Sequence, residues 1–323
     1  MSLDSEALLD LSLARGTLQR NGLGRRDADP TSAALGDAAT RVIDLFDGRA
    51  LTCRVDGRLR LVHRSPRYSD AERQTFYLGH DTDGINYVAV THDKTAADDL
   101  AERGRGWRSL REAGADLDDL DSGVLTTAIA LANWHARHQF WPRCGNPTVG
   151  EEGGWVRRCT VDGSQHYPRT DAAIIVAVTD EDDRLLLARG PHWAPTRMSV
   201  LAGFVEAGES LEAAVHREVM EEVGLSLTNL VYRGNQPWPF PASLMVGFTA
   251  RATSATLRLD PVEIAEAAWF TRGELSFAAR SGVLGLPPRI SIARILIEHW
   301  AGGPIEAASD SASGPTAGPA AVR

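Results

Sequence analysis

Three glutamates, Glu218, Glu221 and Glu222, stand close together in the segment Arg217-Glu-Val-Met-Glu-Glu-Val-Gly-Leu225. On a helix turning 100° per residue they fall within about a 100° arc. Leu211, Val215, Val219 and Val223 recur at every fourth position, which predicts a helix over 211–223 with a buried stripe beside those carboxylates. Gly224 suits the left-handed cap that ends such a helix. Carboxylates packed this way repel one another unless a cation joins them, and a hard divalent ion with oxygen ligands is the natural partner. Taken alone, a glutamate-rich helix also fits a solvated acidic face. The loop before it argues for a site. Gly203 and Gly208 let backbone approach a ligand, Glu209 is placed to bind loop amides or the helix N-terminus, and Arg217 precedes Glu221 by one helical turn and can hold it.

A second segment, Asn235-Gln236-Pro237-Trp238-Pro239-Phe240-Pro241-Ala242-Ser243, alternates proline with aromatics. Each proline removes a ladder donor, so the segment cannot form a central strand. On composition alone it reads as a stiff, polyproline-like linker.

Gly203 to Leu225 matches the Nudix box at every defined position: Gly, five residues, Glu, seven residues, Arg-Glu, an aliphatic, any, Glu-Glu, any, Gly, an aliphatic. On that segment the chain resembles the Nudix hydrolases. Gln236 to Ser243 further resembles the Ser-Gln-Pro-Trp-Pro-x-Pro-x-Ser signature of the NADH pyrophosphatase subfamily, departing only at Asn235. Leu13-Ala-Arg-Gly-Thr17, Tyr167-Pro-Arg-Thr-Asp171 and Asp260-Pro261 followed by Glu263 are similar to further segments of that subfamily.

The resemblance implies an α/β fold, a Nudix α/β/α sandwich with a mixed sheet preceded by a smaller α+β domain. It implies Mg²⁺- or Mn²⁺-dependent hydrolysis of NAD(H) to nicotinamide mononucleotide and AMP. NAD-capped RNA carries the same bond and is the linked substrate. By the same resemblance Glu218, Glu221, Glu222, Glu263 and the Ala202 carbonyl are metal ligands, and Glu222 is the general base. Glu263 also touches substrate, Tyr167 and Phe204 line the nicotinamide pocket, and Gln236, Pro237, Trp238, Pro239, Phe240, Pro241, Ala242 and Ser243 form a substrate-binding strip. The subfamily also implies a homodimer. Two other readings are a broader Nudix pyrophosphatase acting on ADP-ribose and related compounds, and an inactive nucleotide sensor. The intact strip argues against the first and the complete set of box glutamates against the second.

In this subfamily two Cys-x-x-Cys pairs hold a structural zinc. Here they read Trp141-Pro-Arg-Cys144 and Cys159-Thr-Val-Asp162, so half the thiolates are missing. Only Cys144 and Cys159 remain as residual zinc ligands, while His138 and His166 lie nearby at a different spacing. The expectation is therefore a connector without structural zinc, stabilised by Trp141.

The elements that must position these residues follow from the rest of the chain. With 323 residues, 43% hydrophobic and 24% charged, it fits a folded chain of two domains and excludes a largely disordered one. A charge of -9 is the wrong sign for a protein that coats nucleic acid. The longest apolar run, Ala172 to Val178, falls short of the ~20 residues of a membrane span. The acidic start does not resemble a signal peptide, and three scattered cysteines do not make a disulfide framework; both suggest the cytoplasm.

Residues 1–139 read as an α+β domain. Within it are a short helix at Leu8 to Leu13, a hairpin turning at Asp56-Gly57, a strand at Asn86 to Val90, and helices over 95–103 and 120–138. Residues 140–168 read as the connector and 303–323 as a disordered tail. Residues 169–302 read as the Nudix domain, with strands at 172–178, 184–188, 228–233, 244–252 and 267–270 and helices at 211–223 and 290–300.

Overall fold

The computed structural model describes residues 9–27, 29–101 and 104–308. The chain forms two compact units. One holds Ser12–Thr170 together with Pro237–Ser243; the other holds Asp171–Gln236 with residues 244–308 and 9–11.

The N-terminal unit opens with two short helices, α1 (Gly24–Asp27) and α2 (Pro30–Leu35). Its sheet is built from β1 (Arg41–Phe46), β2 (Arg49–Val55), β3 (Arg58–Leu61), β4 (Thr75–His80), β5 (Asn86–Thr91) and β6 (Arg105–Ser109). The strand order is β3-β2-β1-β5-β4, with β6 also on β2 and the β1–β5 pair parallel. Asp56 and Gly57 both take positive φ, 49° and 76°, as the two-residue turn between β2 and β3 requires. Helices α3 (Lys94–Leu100), α4 (Leu110–Ala113) and α5 (Asp119–Arg137) complete this part. Along α5, Val124, Leu125, Ala128, Ile129 and Leu131 are buried. A three-stranded antiparallel sheet follows: β7 (Thr148–Glu151), β8 (Val156–Cys159) and β9 (Gln165–His166).

The expected helix at Leu8 to Leu13 is absent over its described residues. Leu9 to Leu11 are without regular structure and a turn follows at 12–14. A single turn of helix carries its nucleation cost without repaying it; here the Leu9 amide instead donates to the Arg233 carbonyl at 3.0 Å. Gly16 lies against Gly123 of α5 so closely that a Cβ on Gly123 would overlap it, and Ser122 Oγ donates to the Ser12 carbonyl at 2.9 Å. Those contacts seat the Leu13–Thr17 segment.

The second unit is a helix-sheet-helix sandwich. Its strands are β10 (Asp171–Thr179), β11 (Leu185–Arg189), β12 (Leu201–Phe204), β13 (Leu227–Trp238), β14 (Ser243–Ala252) and β15 (Glu266–Phe270), in the order β13-β14-β10-β11-β15 with β12 on β10. Helix α6 (Leu211–Val223) packs on one face with Ile174, Val176 and Val178; α7 (Arg272–Arg280) and α8 (Ile292–Ala301) pack on the other with Ile175 and Ala177. Alternate side chains of β10 thus feed two cores, which explains its unbroken apolar run. The proline-bearing strand β13 takes the sheet edge, where missing donors cost least.

This body extends past residue 302. Ile305 and Ala307 are buried in the α8 core, and residues 309–323 of the expected tail lie outside the described residues. Among the described residues no helix is long and apolar enough to cross a membrane.

Candidate active site

Helix α6 is fixed at both ends. The Ser210 hydroxyl accepts from the Ala213 amide at 3.1 Å, and Gly224 takes φ 71°. Val215, Val219 and Val223 are fully buried, which sets the rotation of the helix. Glu218 and Glu222 then emerge on the flank of that stripe at 9% exposure each. Beneath Glu218 lies Gly203 of β12, where a Cβ would overlap the Glu218 carboxyl group. Any side chain at 203 would displace that carboxyl group, a reason for glycine that the loop reading did not supply.

A third carboxylate arrives from a distant turn. The Asp260 amide donates to the Glu222 carbonyl at 3.0 Å, the Val262 amide to Asp260 Oδ1 at 2.8 Å, and the Ile264 amide to the Asp260 carbonyl at 2.8 Å. This turn brings Glu263 in, so that one carboxylate oxygen from each of Glu218, Glu222 and Glu263 lies within 4.8 Å of the others. Glu222 Oε2 is buried without a hydrogen-bond partner. Burial, then the charges of Glu218 and Glu263, push the Glu222 carboxyl up to about 8. Burial also raises Glu218, against the opposing pull of Arg217. Clustered, under-solvated carboxylate oxygens with an orphaned acceptor fit a hard divalent cation. Glu218, Glu222 and Glu263 are the residues that would hold it.

Glu221 points elsewhere. It is exposed, and its Oε2 accepts from Arg217 Nη1 at 3.0 Å. All five N–H groups of Arg217 are engaged: with both oxygens of Glu209 at 2.8 and 2.9 Å, with Glu218 Oε1 at 2.9 Å, with Glu221, and with the Phe204 carbonyl at 2.9 Å. Glu209 also accepts from the Glu206 amide at 3.0 Å. The arginine therefore ties the loop, β12 and α6 into one frame, and its pKa is raised chiefly by Glu209. Ala202 and Phe204 flank Gly203 on β12, both exposed.

The strip divides between the units. Gln236 is fully buried in the second unit, where its Nε2 donates to the Ile290 carbonyl at 2.9 Å and its Oε1 has no partner. Pro237 to Ser243 belong to the N-terminal unit. There Trp238 is buried and meets the half-buried Phe240 edge to face, centroids 4.9 Å apart at 72°. Pro239 is buried, and Pro241, Ala242 and Ser243 are half-buried. Arg111 stacks on both rings, and Asn133 Nδ2 donates to the Pro239 carbonyl at 2.7 Å. Neither residue was legible as functional, because each meets the strip across more than a hundred residues of sequence. Tyr167, also of the N-terminal unit, is 62% exposed, with its hydroxyl 3.2 Å from Gln165 Oε1.

The connector folds as two facing knuckles. In one, the Gly145 amide donates to the Trp141 carbonyl at 2.8 Å; in the other, the Gly163 amide donates to the Cys159 carbonyl at 3.2 Å. Cys144 Sγ and Cys159 Sγ come within 3.6 Å, and with an Asp162 oxygen their ligand atoms all lie within 4.8 Å. Hydrogen bonds from Asn146 hold the Cys144 thiol below its ordinary value, toward the thiolate that a metal binds. Trp141 packs against His166 with ring centres 4.7 Å apart and planes tilted by 46°.

Comparison with known proteins matches this division. Residues 39–134 match the NADH pyrophosphatase-like rudimentary NUDIX domain, 136–167 the NADH pyrophosphatase zinc ribbon domain, and 168–285 the NUDIX domain. The chain is 46% identical over 201 residues to an NAD-capped RNA hydrolase NudC of Mycobacterium bovis, covering 59% of this chain and 64% of that protein. It is 36% identical over 231 residues to the human NAD-capped RNA hydrolase NUDT12, covering 67% of this chain and 50% of that protein. The chain thus spans less than two thirds of the length of these relatives. A NUDIX hydrolase structure from Nitrosomonas europaea aligns at 21% identity and TM-score 0.39, over 51% of this chain and 94% of that one.

The zinc ribbon match and the convergence of Cys144, Cys159 and Asp162 overturn the expectation of a connector without structural zinc. Counting thiolates misled, because Asp162 puts a carboxylate where the pattern has its fourth cysteine, and carboxylate oxygen is itself a zinc donor. The three adjoining domain matches and the complete box around α6 lead to one assignment: the chain belongs to the Nudix hydrolases, in the NADH pyrophosphatase subfamily.

Proposed function

We propose that this protein hydrolyses the pyrophosphate bond of NAD(H), giving nicotinamide mononucleotide and AMP, and removes the same linkage from NAD-capped RNA. The observation that carries the reading is the carboxylate cluster of Glu218, Glu222 and Glu263 with its orphaned, buried Glu222 Oε2. The names of the relatives support the substrate class.

Glu218, Glu222, Glu263 and the Ala202 carbonyl would hold Mg²⁺ or Mn²⁺, which, when bound, neutralises the diphosphate oxygens and activates water. Glu222 takes the proton from the attacking water. Without a cation, burial and the neighbouring carboxylates favour the protonated form of Glu222, and a bound cation offsets that repulsion and frees the carboxylate to act as base. Arg217 acts indirectly, by keeping Glu221, Glu209 and the β12 backbone in register. Exposed Phe204 and Tyr167 offer flat faces to a base, and the strip orients the rest of the dinucleotide. We assign the protein to the cytoplasm and to a homodimeric state.

Product analysis with NADH, NAD, ADP-ribose and NAD-capped RNA, each in Mg²⁺ and in Mn²⁺, tests this reading. Nicotinamide mononucleotide and AMP are expected from the dinucleotides, with a 5′-monophosphate end left on RNA. Equal turnover of ADP-ribose would favour the broader pyrophosphatase, and nucleotide binding without turnover would favour a sensor.

A further inference from the structure

The substrate strip leaves strand β13 at Trp238 and turns before β14 begins at Ser243. Three prolines within Pro237–Pro241 leave it short of ladder donors, so side chains must add to the one turn bond from the Phe240 amide to the Trp238 carbonyl at 2.7 Å. Two helices of the N-terminal unit supply them. On α4 the first turn is locked by Ser109 and Glu112, with the Ser109 amide and hydroxyl donating to Glu112 Oε2 at 2.7 and 2.8 Å. The next residues of that turn present Arg111, whose guanidinium carbon lies 3.9 Å from the Phe240 ring centre and 4.8 Å from that of Trp238. On α5, Asn133 holds the carbonyl of the intervening Pro239. Trp238, Pro239 and Phe240 are therefore each gripped by a named side chain.

We propose that Arg111 and Asn133 are positioning residues for dinucleotide recognition. They fix the Trp238–Phe240 step so that half-buried Phe240, rather than buried Trp238, presents its ring to a planar base of the substrate. The cation stacked on one side polarises both rings and restrains their rotation, while the Asn133 bond sets the depth of the segment. The rudimentary domain acquires a task this way: without a carboxylate cluster of its own along α5 between Val124 and Trp134, it acts by holding the specificity element.

This proposal rests on the strip binding substrate, and the experiment separates the two. NADH binding to the metal-free full-length protein, followed by NADH fluorescence, is compared with steady-state KM and kcat for Arg111→Ala, Arg111→Lys and Asn133→Ala. Losing a contact of this strength lets the rings leave their binding-competent orientation, and the apparent Kd rises as the competent fraction falls, by about 5- to 30-fold. Arg111→Ala is accordingly expected to raise Kd and KM about tenfold with kcat within twofold, Arg111→Lys to recover most of the loss, and Asn133→Ala to shift KM in the same direction. Unchanged Kd and KM in Arg111→Ala, or losses falling equally on kcat with no recovery by lysine, would overturn the proposal while leaving the function intact. If Arg111→Ala does not fold, Arg111→Lys and Asn133→Ala decide by the same split. A wild type that turns over other diphosphates but neither binds nor cleaves NADH overturns the functional reading and this proposal together.

Discussion

Glu222→Gln separates what the carboxylate does for the reaction from what it does to the fold. In the folded protein this group is 9% exposed, its Oε2 lacks a partner, and burial beside Glu218 and Glu263 moves its pKa from 4.5 to about 8. In the unfolded chain it titrates as an ordinary glutamate. Since the folded pKa lies above the unfolded one, the native state holds the proton more tightly. The associated stability is complete below pH 4.5 and is lost as pH climbs through 8. At 1.36 kcal/mol per pH unit, the full displacement is worth roughly 5 kcal/mol. Water entering the cleft and relaxation of the exposed Glu263 recover part of it, so about 2–3 kcal/mol is expected. In EDTA at pH 9, Glu222→Gln should therefore melt roughly 5–10 °C above the wild type, and at pH 5 the two should nearly coincide. Mg²⁺ should raise the wild-type Tm more than that of the variant. Turnover should fall about 10²-fold or more, because base and ligand are both lost. Thermal melts across this pH range with and without metal, alongside steady-state rates, make the test. A variant less stable than wild type in EDTA at pH 9, or one with turnover within a few-fold of it, would refute the reasoning.

Gly203→Ala is expected to push Glu218 off its seat and weaken Mn²⁺ binding about tenfold or more while leaving the fold largely intact, as read by Mn²⁺ electron paramagnetic resonance and circular dichroism. Mn²⁺ affinity in the wild type should strengthen as pH rises toward about 8 and level off above it, because the Glu222 proton must leave before the ion binds; calorimetric titration at several pH values checks this. Elemental analysis should find zinc in the purified protein, and Cys144→Ser or Cys159→Ser should lower both the zinc content and the Tm of the N-terminal unit.

Helix α6 was readable almost to the residue because everything that defines it is local: the apolar stripe, the Ser210 cap and the Gly224 stop lie within fifteen residues. The core strands of the second unit were readable for the same reason. Strand β12 was not, since four residues with a glycine among them carry no alternation, although it supplies the floor under Glu218. Glu263 was reached through resemblance, and the Asp260 turn that delivers it joins two segments some forty residues apart. Arg111 and Asn133 left no local signal at all. Asp162 was visible, but a spacing rule framed in thiolates ranked it below its chemistry. Helix α7 escaped notice because Leu275 and Ala279 are its only buried positions, too few to set a period.

The partition of the strip bears on how such a protein can be inherited. Gln236 and Pro237 are neighbours in sequence, yet they belong to different compact units. A recombination event that grafted the segment after Thr170 onto another partner would carry the Nudix box intact but strand Trp238, Pro239 and Phe240 without Arg111 and Asn133. Such a chimaera would expose an indole and a phenyl ring to solvent and invite self-association. Selection must then act on the two units as one heritable block. Change in either one is tolerated only where the other can accommodate it, which ties the domain that grips the strip to the lineage of the one that carries the Glu218, Glu222 and Glu263 cluster.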